Sequence, residues 1–352
     1  MEKLKNYYSK IEDRIKGTFA GTRGEFMPLS FQVNLLNKCY QHCIGCRKYE
    51  WPDVKLEKDK VKEMIQWFSS KNTKSVIFSG GEPLLFDGIE EVICDAITKK
   101  LKVGILTSGL WPEKLDIERI MEHMNGYIAV SFDGGYETTY AKCRGINSFE
   151  KVIENMRILS TLKKKRNPTI RLKLHATMSN KNHREMAAIL NIAQNCEFDE
   201  CNFYPIHTWD ELKMNSGDKE TIVNSIYGAM SIKEIKSNVN NFMDLLKRKE
   251  TVKCMIPWVH SVIDSNGDVY FCCRTLDDNG EFGKRNSQYS IGNVNKESLN
   301  DIFLINSKSD EMRKRLYNAA EEVCLECDRY CVMNEHFNKH RVEKDCGEEI
   351  FL

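Results

Sequence analysis

The sequence contains no apolar run approaching the roughly 20 residues that a membrane-spanning helix needs, so no membrane partner is expected. It also lacks an excess of charge of either sign. With 52 Lys and Arg against 51 Asp and Glu, and a formal net charge of +1, it offers no electrostatic footprint for nucleic acid or a strongly acidic partner. The N-terminal stretch MEKLKNYYSKIEDRIKG is charged and helix-like and has no apolar signal core, so a cytoplasmic protein is expected. Internal repeats and low-complexity tracts are absent. What remains is an ordinary globular composition, 41% hydrophobic and 29% charged, in 352 residues. That length accommodates one large domain and a smaller one.

Cysteine is the residue in surplus, with 14 in the chain. A secreted disulfide scaffold would be shorter and would carry a signal. Two dense groups in a reducing compartment read most economically as metal or iron–sulfur ligands. The first group is Cys39, Cys43 and Cys46; the second is Cys254, Cys272, Cys273, Cys324, Cys327, Cys331 and Cys346. Three thiolates cannot complete a tetrahedral zinc site alone. They can hold three corners of an iron–sulfur cube and leave its fourth iron open. A zinc knuckle completed by His42 is the alternative for the first group, and a structural zinc site on the last four cysteines is the alternative for the second. Cys94, Cys196 and Cys201 read as core residues.

Strand and helix signals alternate through the first two thirds of the chain. Strands are expected at Leu29–Leu35, Ser75–Ser79, Leu101–Thr107, Tyr127–Phe132 and Thr169–Met178, with another within 197–206. Helices are expected at Asp59–Ser70, Gly88–Lys100, Leu115–Met124, Phe149–Lys163 and His183–Gln194. Such alternation argues for a parallel sheet with right-handed crossovers, and the loops that follow the strands then share one rim. The expected fold is a partial (β/α)6 TIM-like barrel with a C-terminal auxiliary domain built on a β-hairpin and a helix. The hairpin signal is Val259–Asp264, an Asn266-Gly267 turn and Asp268–Phe271. A helix is expected at 310–320. The expected divisions are an N-terminal helical extension at 1–28, the barrel at 29–208, a helical linker at 209–252 and the auxiliary domain at 253–352.

Here the residues reach a family. Cys39-x3-Cys43-x2-Cys46 directly after a strand resembles the cluster motif of the radical S-adenosylmethionine (radical SAM) enzymes. The resemblance implies a [4Fe-4S] cluster on these cysteines, with S-adenosylmethionine chelating the fourth iron. Gly45 stands where the family usually has an aromatic residue, which removes one adenine-side packing contact. Gly80-Gly81-Glu82-Pro83 looks like the family's GGEP motif and implies that backbone carbonyls and Glu82 receive the ammonium group of S-adenosylmethionine. By itself the same stretch reads as a strand-end turn. Ser131-Phe132-Asp133-Gly134 with Arg144-Gly145 and Ser148-Phe149 is similar to a stretch found in many members with an extra cluster domain. It implies Ser131 near the ribose and Arg144 near the carboxylate, for which a bidentate fork is suited. Thr107-Ser108-Gly109 resembles a further strand end of the family; a plain turn is the other reading of Ser108.

The C-terminal cysteines resemble the SPASM or "twitch" auxiliary-cluster domain. The resemblance implies one or two auxiliary iron–sulfur clusters. Either Cys324, Cys327, Cys331 and Cys346 form one cluster, with Cys254 and Cys272 at a second that Cys273, His260 or substrate would complete; or Cys254, Cys272, Cys324 and Cys327 form a single one. Cys143 and Cys273 are candidate hydrogen donors to a substrate radical, against the plainer reading of loop thiols. His175 and His207 are candidates for the barrel interior. The implied function is generation of a 5′-deoxyadenosyl radical that abstracts a substrate hydrogen in the crosslinking, oxidation or epimerisation of a ribosomally made peptide. Alternatives are a dehydrogenase or epimerase of a sugar or aminocyclitol, and a non-catalytic iron–sulfur electron carrier. A peptide or small-molecule substrate and a flavodoxin- or ferredoxin-type reductant are the implied partners. About 28 residues precede the first strand, too few for the leader-binding winged-helix domain of some peptide maturases.

Overall fold

The computed structural model describes residues 2–21, 28–46, 53–206, 210–214, 219–232, 235–239, 253–276 and 287–318. His207, residues 240–252 of the expected linker, and Cys324, Cys327, Cys331 and Cys346 lie outside these residues.

The chain begins with helix α1 (Glu2–Ala20) and then alternates: β1 (Ser30–Leu36), α2 (Lys58–Ser70), β2 (Ser75–Gly80), α3 (Ile89–Thr98), β3 (Lys102–Thr107), α4 (Ile117–His123) and β4 (Tyr127–Ser131). Two helices, α5 (Glu137–Arg144) and α6 (Phe149–Arg166), precede β5 (Arg171–Met178), followed by α7 (Met186–Asn195) and β6 (Glu200–Pro205). Neighbouring strands from β1 to β6 pair in parallel and in order. The expected α/β barrel architecture is therefore present.

Period-2 alternation explains the layering. In β5, Leu172, Leu174, Ala176 and Met178 are buried against the helices, while Arg171, Lys173 and His175 on the other face are partly exposed. Each helix contributes an apolar stripe at helical spacing, as with Val61, Met64, Ile65 and Phe68 of α2. Phe68 stacks on Phe31 of β1 with ring centroids 4.0 Å apart. Both rings are fully buried, and truncating either to Ala costs about 3–5 kcal/mol.

Helix α5 was not expected. It is short and mixed in composition, and its last turn is closed by Gly145 in the left-handed conformation. The stretch expected as a linker also behaves differently. Helix α8 (Lys219–Met230) buries Ile222, Ile226 and Ala229 in the main core, and β7 (Lys236–Ser237) pairs in parallel with β6. These residues therefore extend the barrel rather than bridge from it.

The C-terminal hairpin joins the same sheet. After a short helix α9 (Ile256–Val259), β8 (His260–Ile263) and β9 (Asp268–Tyr270) pair antiparallel around a tight turn with Gly267 at φ +92°. β8 also pairs in parallel with β1, matching Ser30 to His260 and Val33 to Ile263. The sheet order is β10 (Gly292–Asn293), β9, β8, β1 and then β2 through β7. Helix α10 (Ser307–Tyr317) packs beside α9 and α1, where Ile11, Ile15, Met255, Ile256, Trp258 and Val259 form a second apolar cluster.

Candidate active site

The cysteine loop leaves the C-terminal end of β1 and is held by backbone contacts on two sides. On one side Gly81 N donates to Leu36 O at 2.7 Å and Glu82 N donates to Lys38 O at 2.8 Å. A Cβ on Gly81 would lie 2.1 Å from Lys38 O, so no other residue allows this approach. The glycines thus seat the cysteine loop as well as bordering the cavity. On the other side, His42 N donates to Arg144 O and Ile44 N to Cys143 O, both at 3.1 Å. Gly145 is equally constrained, since a Cβ there would lie 2.1 Å from His42 O.

These contacts form one wall of a cavity of about 710 Å³ at the C-terminal strand ends, within the size range of small-molecule sites. Cys39, Cys43 and Cys46 border it, as do Gly80, Gly81, Ser108, Ser131, Asp133, Cys143, Arg144 and Cys273. Most of the residues singled out by motif therefore meet in one place although they come from distant segments. Burial raises the Cys39 thiol to about 11 and the Cys43 thiol to about 12.

Arg144 and Asp133 form a buried pair. Arg144 Nη1 donates to Asp133 Oδ2 at 2.7 Å and Nε donates to Gln41 Oε1 at 2.8 Å. Asp133 Oδ1 accepts from Thr177 N at 2.6 Å, which ties the end of β4 to β5. Ser131 stands at the end of β4 with its side chain toward the cavity.

Glu82 and Pro83 do not border the cavity. Glu82 is fully buried, and its carboxylate accepts at 3.1 Å from Leu84 N, 2.8 Å from Thr107 Oγ1 and 2.7 Å from Ser108 N, with a further short contact from Ser108 Oγ. Burial pushes its pKa above the usual carboxylate value, opposed by these donors. The side chain fastens the end of β2 to the end of β3.

The chain matches the Radical SAM superfamily model over residues 33–191 and the SPASM iron–sulfur cluster-binding domain model over residues 254–328. It carries a radical SAM domain and a SPASM domain. Among curated relatives it is similar to the Fe-coproporphyrin III synthase of Methanosarcina barkeri, at 24% identity over 49% of this chain and 42% of the relative. It is also similar to the PqqA peptide cyclase of Granulibacter bethesdensis, at 24% identity over 30% of this chain and 29% of the relative. The chain thus spans under half the length of these relatives. Among solved structures, Streptococcus suis SuiB with its precursor peptide SuiA shares the fold at TM-score 0.65 and 14% identity, over 93% of this chain and 74% of that one. The anSMEcpe structure with AdoMet and the Kp18Cys peptide does so at TM-score 0.61 and 17% identity, over 86% and 87%.

A radical SAM domain binds S-adenosylmethionine and a [4Fe-4S] cluster, and a SPASM domain binds auxiliary iron–sulfur clusters. The residues present fit these groups. Three thiols stand on one wall, beside glycine backbone and a buried guanidinium. In the SPASM domain, Cys254 and Cys272 both pack against the second apolar cluster. His260 sits in the β1–β8 pairing, with Nδ1 2.8 Å from Ser30 Oγ, and burial lowers its pKa to about 4. Cys273 reaches the cavity of the radical SAM domain together with Arg274.

Gly45 also finds its explanation. A Cβ at Gly45 would lie 2.7 Å from Ile206 Cδ1, so the side chain of Ile206, beyond β6, occupies the space beside the loop. Ile206 and Tyr204 border the cavity on that flank. Neither was singled out by motif, nor was Gln41; single apolar or amide residues carry no spacing signal.

Proposed function

We propose that the chain is a radical SAM enzyme that modifies a ribosomally made peptide. The observation that carries this reading is the shared cavity, where the three cysteines of the barrel face Cys273 and Arg274 of the SPASM domain. When bound, S-adenosylmethionine and its cluster supply a 5′-deoxyadenosyl radical that abstracts a substrate hydrogen atom. The chain's own residues hold, orient and exclude water. Cys39, Cys43 and Cys46 hold the cluster. Arg144 receives the carboxylate through Nη2, which makes no hydrogen bond among the described residues while Nε and Nη1 are engaged. Gly80 and Gly81 offer backbone to the ammonium group, a task that the buried carboxylate of Glu82 does not share. Ser131 lies toward the ribose.

Cys143 and Cys273 both border the cavity. Burial raises the Cys143 thiol to about 12, which keeps it protonated and able to give a hydrogen atom. A peptide substrate is supported by SuiB, anSMEcpe and the PqqA peptide cyclase, whose names or structures include peptides. The flavodoxin- or ferredoxin-type reductant belongs to the same reading, as do Cys254, Cys272, Cys324, Cys327, Cys331 and Cys346 as auxiliary ligands.

The test is anaerobic reconstitution with iron and sulfide, followed by S-adenosylmethionine, dithionite and a peptide encoded beside the gene. Wild type is expected to form 5′-deoxyadenosine and a peptide of altered mass. Cys43→Ala is expected to abolish both products. Cys272→Ala is expected to keep uncoupled 5′-deoxyadenosine formation and lose the altered peptide. A fully loaded wild type that forms no 5′-deoxyadenosine with any such peptide refutes the proposal.

A further inference from the structure

Gln41 lies between the first two cysteines of the loop and is 2% exposed. Its amide is held at both ends. Oε1 accepts from Arg144 Nε at 2.8 Å, and Nε2 donates to the Tyr140 hydroxyl at 2.9 Å and to Ser148 Oγ at 3.5 Å. Arginine only donates, so chemistry fixes which end of the amide faces it. The same Oε1 lies 3.9 Å from Cys43 Sγ. One oxygen therefore accepts from the guanidinium and stands near a cluster cysteine. Arg144 is in turn held from its other arm by Asp133 at 2.7 Å. Gln41 and Asp133 together fix the plane of the guanidinium, and Nη2 is the nitrogen left for the cavity.

We propose that Gln41 is a positioning residue that couples Arg144 to the cysteine loop. An anionic group received at Arg144 Nη2 and the redox state of the cluster on Cys39, Cys43 and Cys46 then influence each other through the Gln41 amide. The inference rests on reading the cavity as the S-adenosylmethionine site. The physical path is short. A carboxylate on Nη2 draws the guanidinium toward the cavity and changes its bond to Oε1, and that oxygen adjoins Cys43. Coupling of this kind is reciprocal: whatever factor the ligand imposes on cluster reduction, reduction imposes on ligand affinity.

The experiment uses the full chain, reconstituted anaerobically, as wild type, Gln41→Leu and Gln41→Glu. Iron per chain, the dissociation constant for S-adenosylmethionine, and the cluster's midpoint potential with and without it are measured. Gln41→Leu removes the acceptor. Its affinity is expected to fall about tenfold in one redox state of the cluster and not in the other, at unchanged iron content, so that the ligand-induced potential shift shrinks by about 59 mV, the one-electron equivalent of tenfold. Gln41→Glu keeps the acceptor and is expected to bind within threefold of wild type. Unchanged affinity and potential shift in Gln41→Leu overturn the proposal. So does a Gln41→Glu variant as weak as Gln41→Leu, because the acceptor oxygen would then not be what positions Arg144. If Gln41→Leu takes up less iron, Gln41→Glu decides alone: retained affinity and shift support the coupling, and loss of either overturns it. A loaded wild type that binds no S-adenosylmethionine removes the cavity reading and this inference together, whereas binding without a Gln41 effect removes only the inference.

Discussion

Replacing Glu82 by Gln separates a structural role from a ligand-binding one. The carboxylate accepts one backbone donor on each oxygen, Leu84 N on Oε1 and Ser108 N on Oε2. Backbone amides cannot turn to accept. Whichever way a glutamine amide is placed, its NH₂ group faces one of them, donor against donor. The variant loses one hydrogen bond to a charged group and leaves a buried donor unsatisfied, each costing about 1–3 kcal/mol. The hydroxyls of Thr107 and Ser108 can rotate and recover part of this. A net loss of about 3 kcal/mol corresponds to a melting point roughly 6–12 °C lower, at the 2–4 °C per kcal/mol of a domain near 200 residues. Differential scanning fluorimetry on the protein without iron measures this, and calorimetric titration with S-adenosylmethionine on the loaded protein gives the affinity. An unchanged melting point with sharply weakened affinity would refute the anchoring role and restore Glu82 as a ligand for the ammonium group.

Gly81→Ala is expected to displace the cysteine loop, because its Cβ would lie 2.1 Å from Lys38 O, a backbone atom that cannot swing aside; iron uptake on reconstitution should fall several-fold, as read by iron and sulfide analysis. Gly45→Phe is expected to destabilise the chain by about 1–3 kcal/mol through overpacking on Ile206, and Gly45→Phe with Ile206→Ala should recover most of that loss in a chemical denaturation series. His260 is buried with a folded pKa lowered to about 4 against about 6.5 unfolded, so the unfolded chain binds the extra proton and stability falls as pH drops below 6.5. That contribution is about 2 kcal/mol between pH 8 and pH 5, and His260→Asn should lack it when urea midpoints are compared at the two pH values.

The barrel was legible because its signals are local. Alternation in Leu172–Met178 and helical spacing in Val61–Phe68 each lie within one element, and burial follows period. The motif residues were legible as types, and the glycines at 80, 81 and 145 stand where only glycine fits. What each polar motif residue touches was not legible. Glu82 faces Ser108 rather than the cavity because β2 and β3 are neighbours in register, a relation no residue of either strand announces. Helix α5 was missed because its burial is supplied by partners: Tyr140 packs on Phe132 and Phe149, with ring centroids 4.7 and 5.6 Å away. Residues 209–252 read as a helical linker because a short strand such as Lys236–Ser237 is defined only by its pairing with Glu200 and Cys201. Gln41 illustrates the general limit, since its partners lie up to 107 residues away in sequence.

The pairing of β8 with β1 sets an order of events during synthesis. Ser30 meets His260, a separation of 230 residues. At the roughly 5–20 residues per second of translation, the strand that carries the cysteine loop keeps one bare edge for about 9–36 s after its other neighbour, β2, has emerged. Bare edges invite pairing with other chains. A nascent chain that stalls before residue 260 therefore presents an adhesive strand beside the cysteine loop, and the C-terminal hairpin acts as the cover that makes the barrel safe.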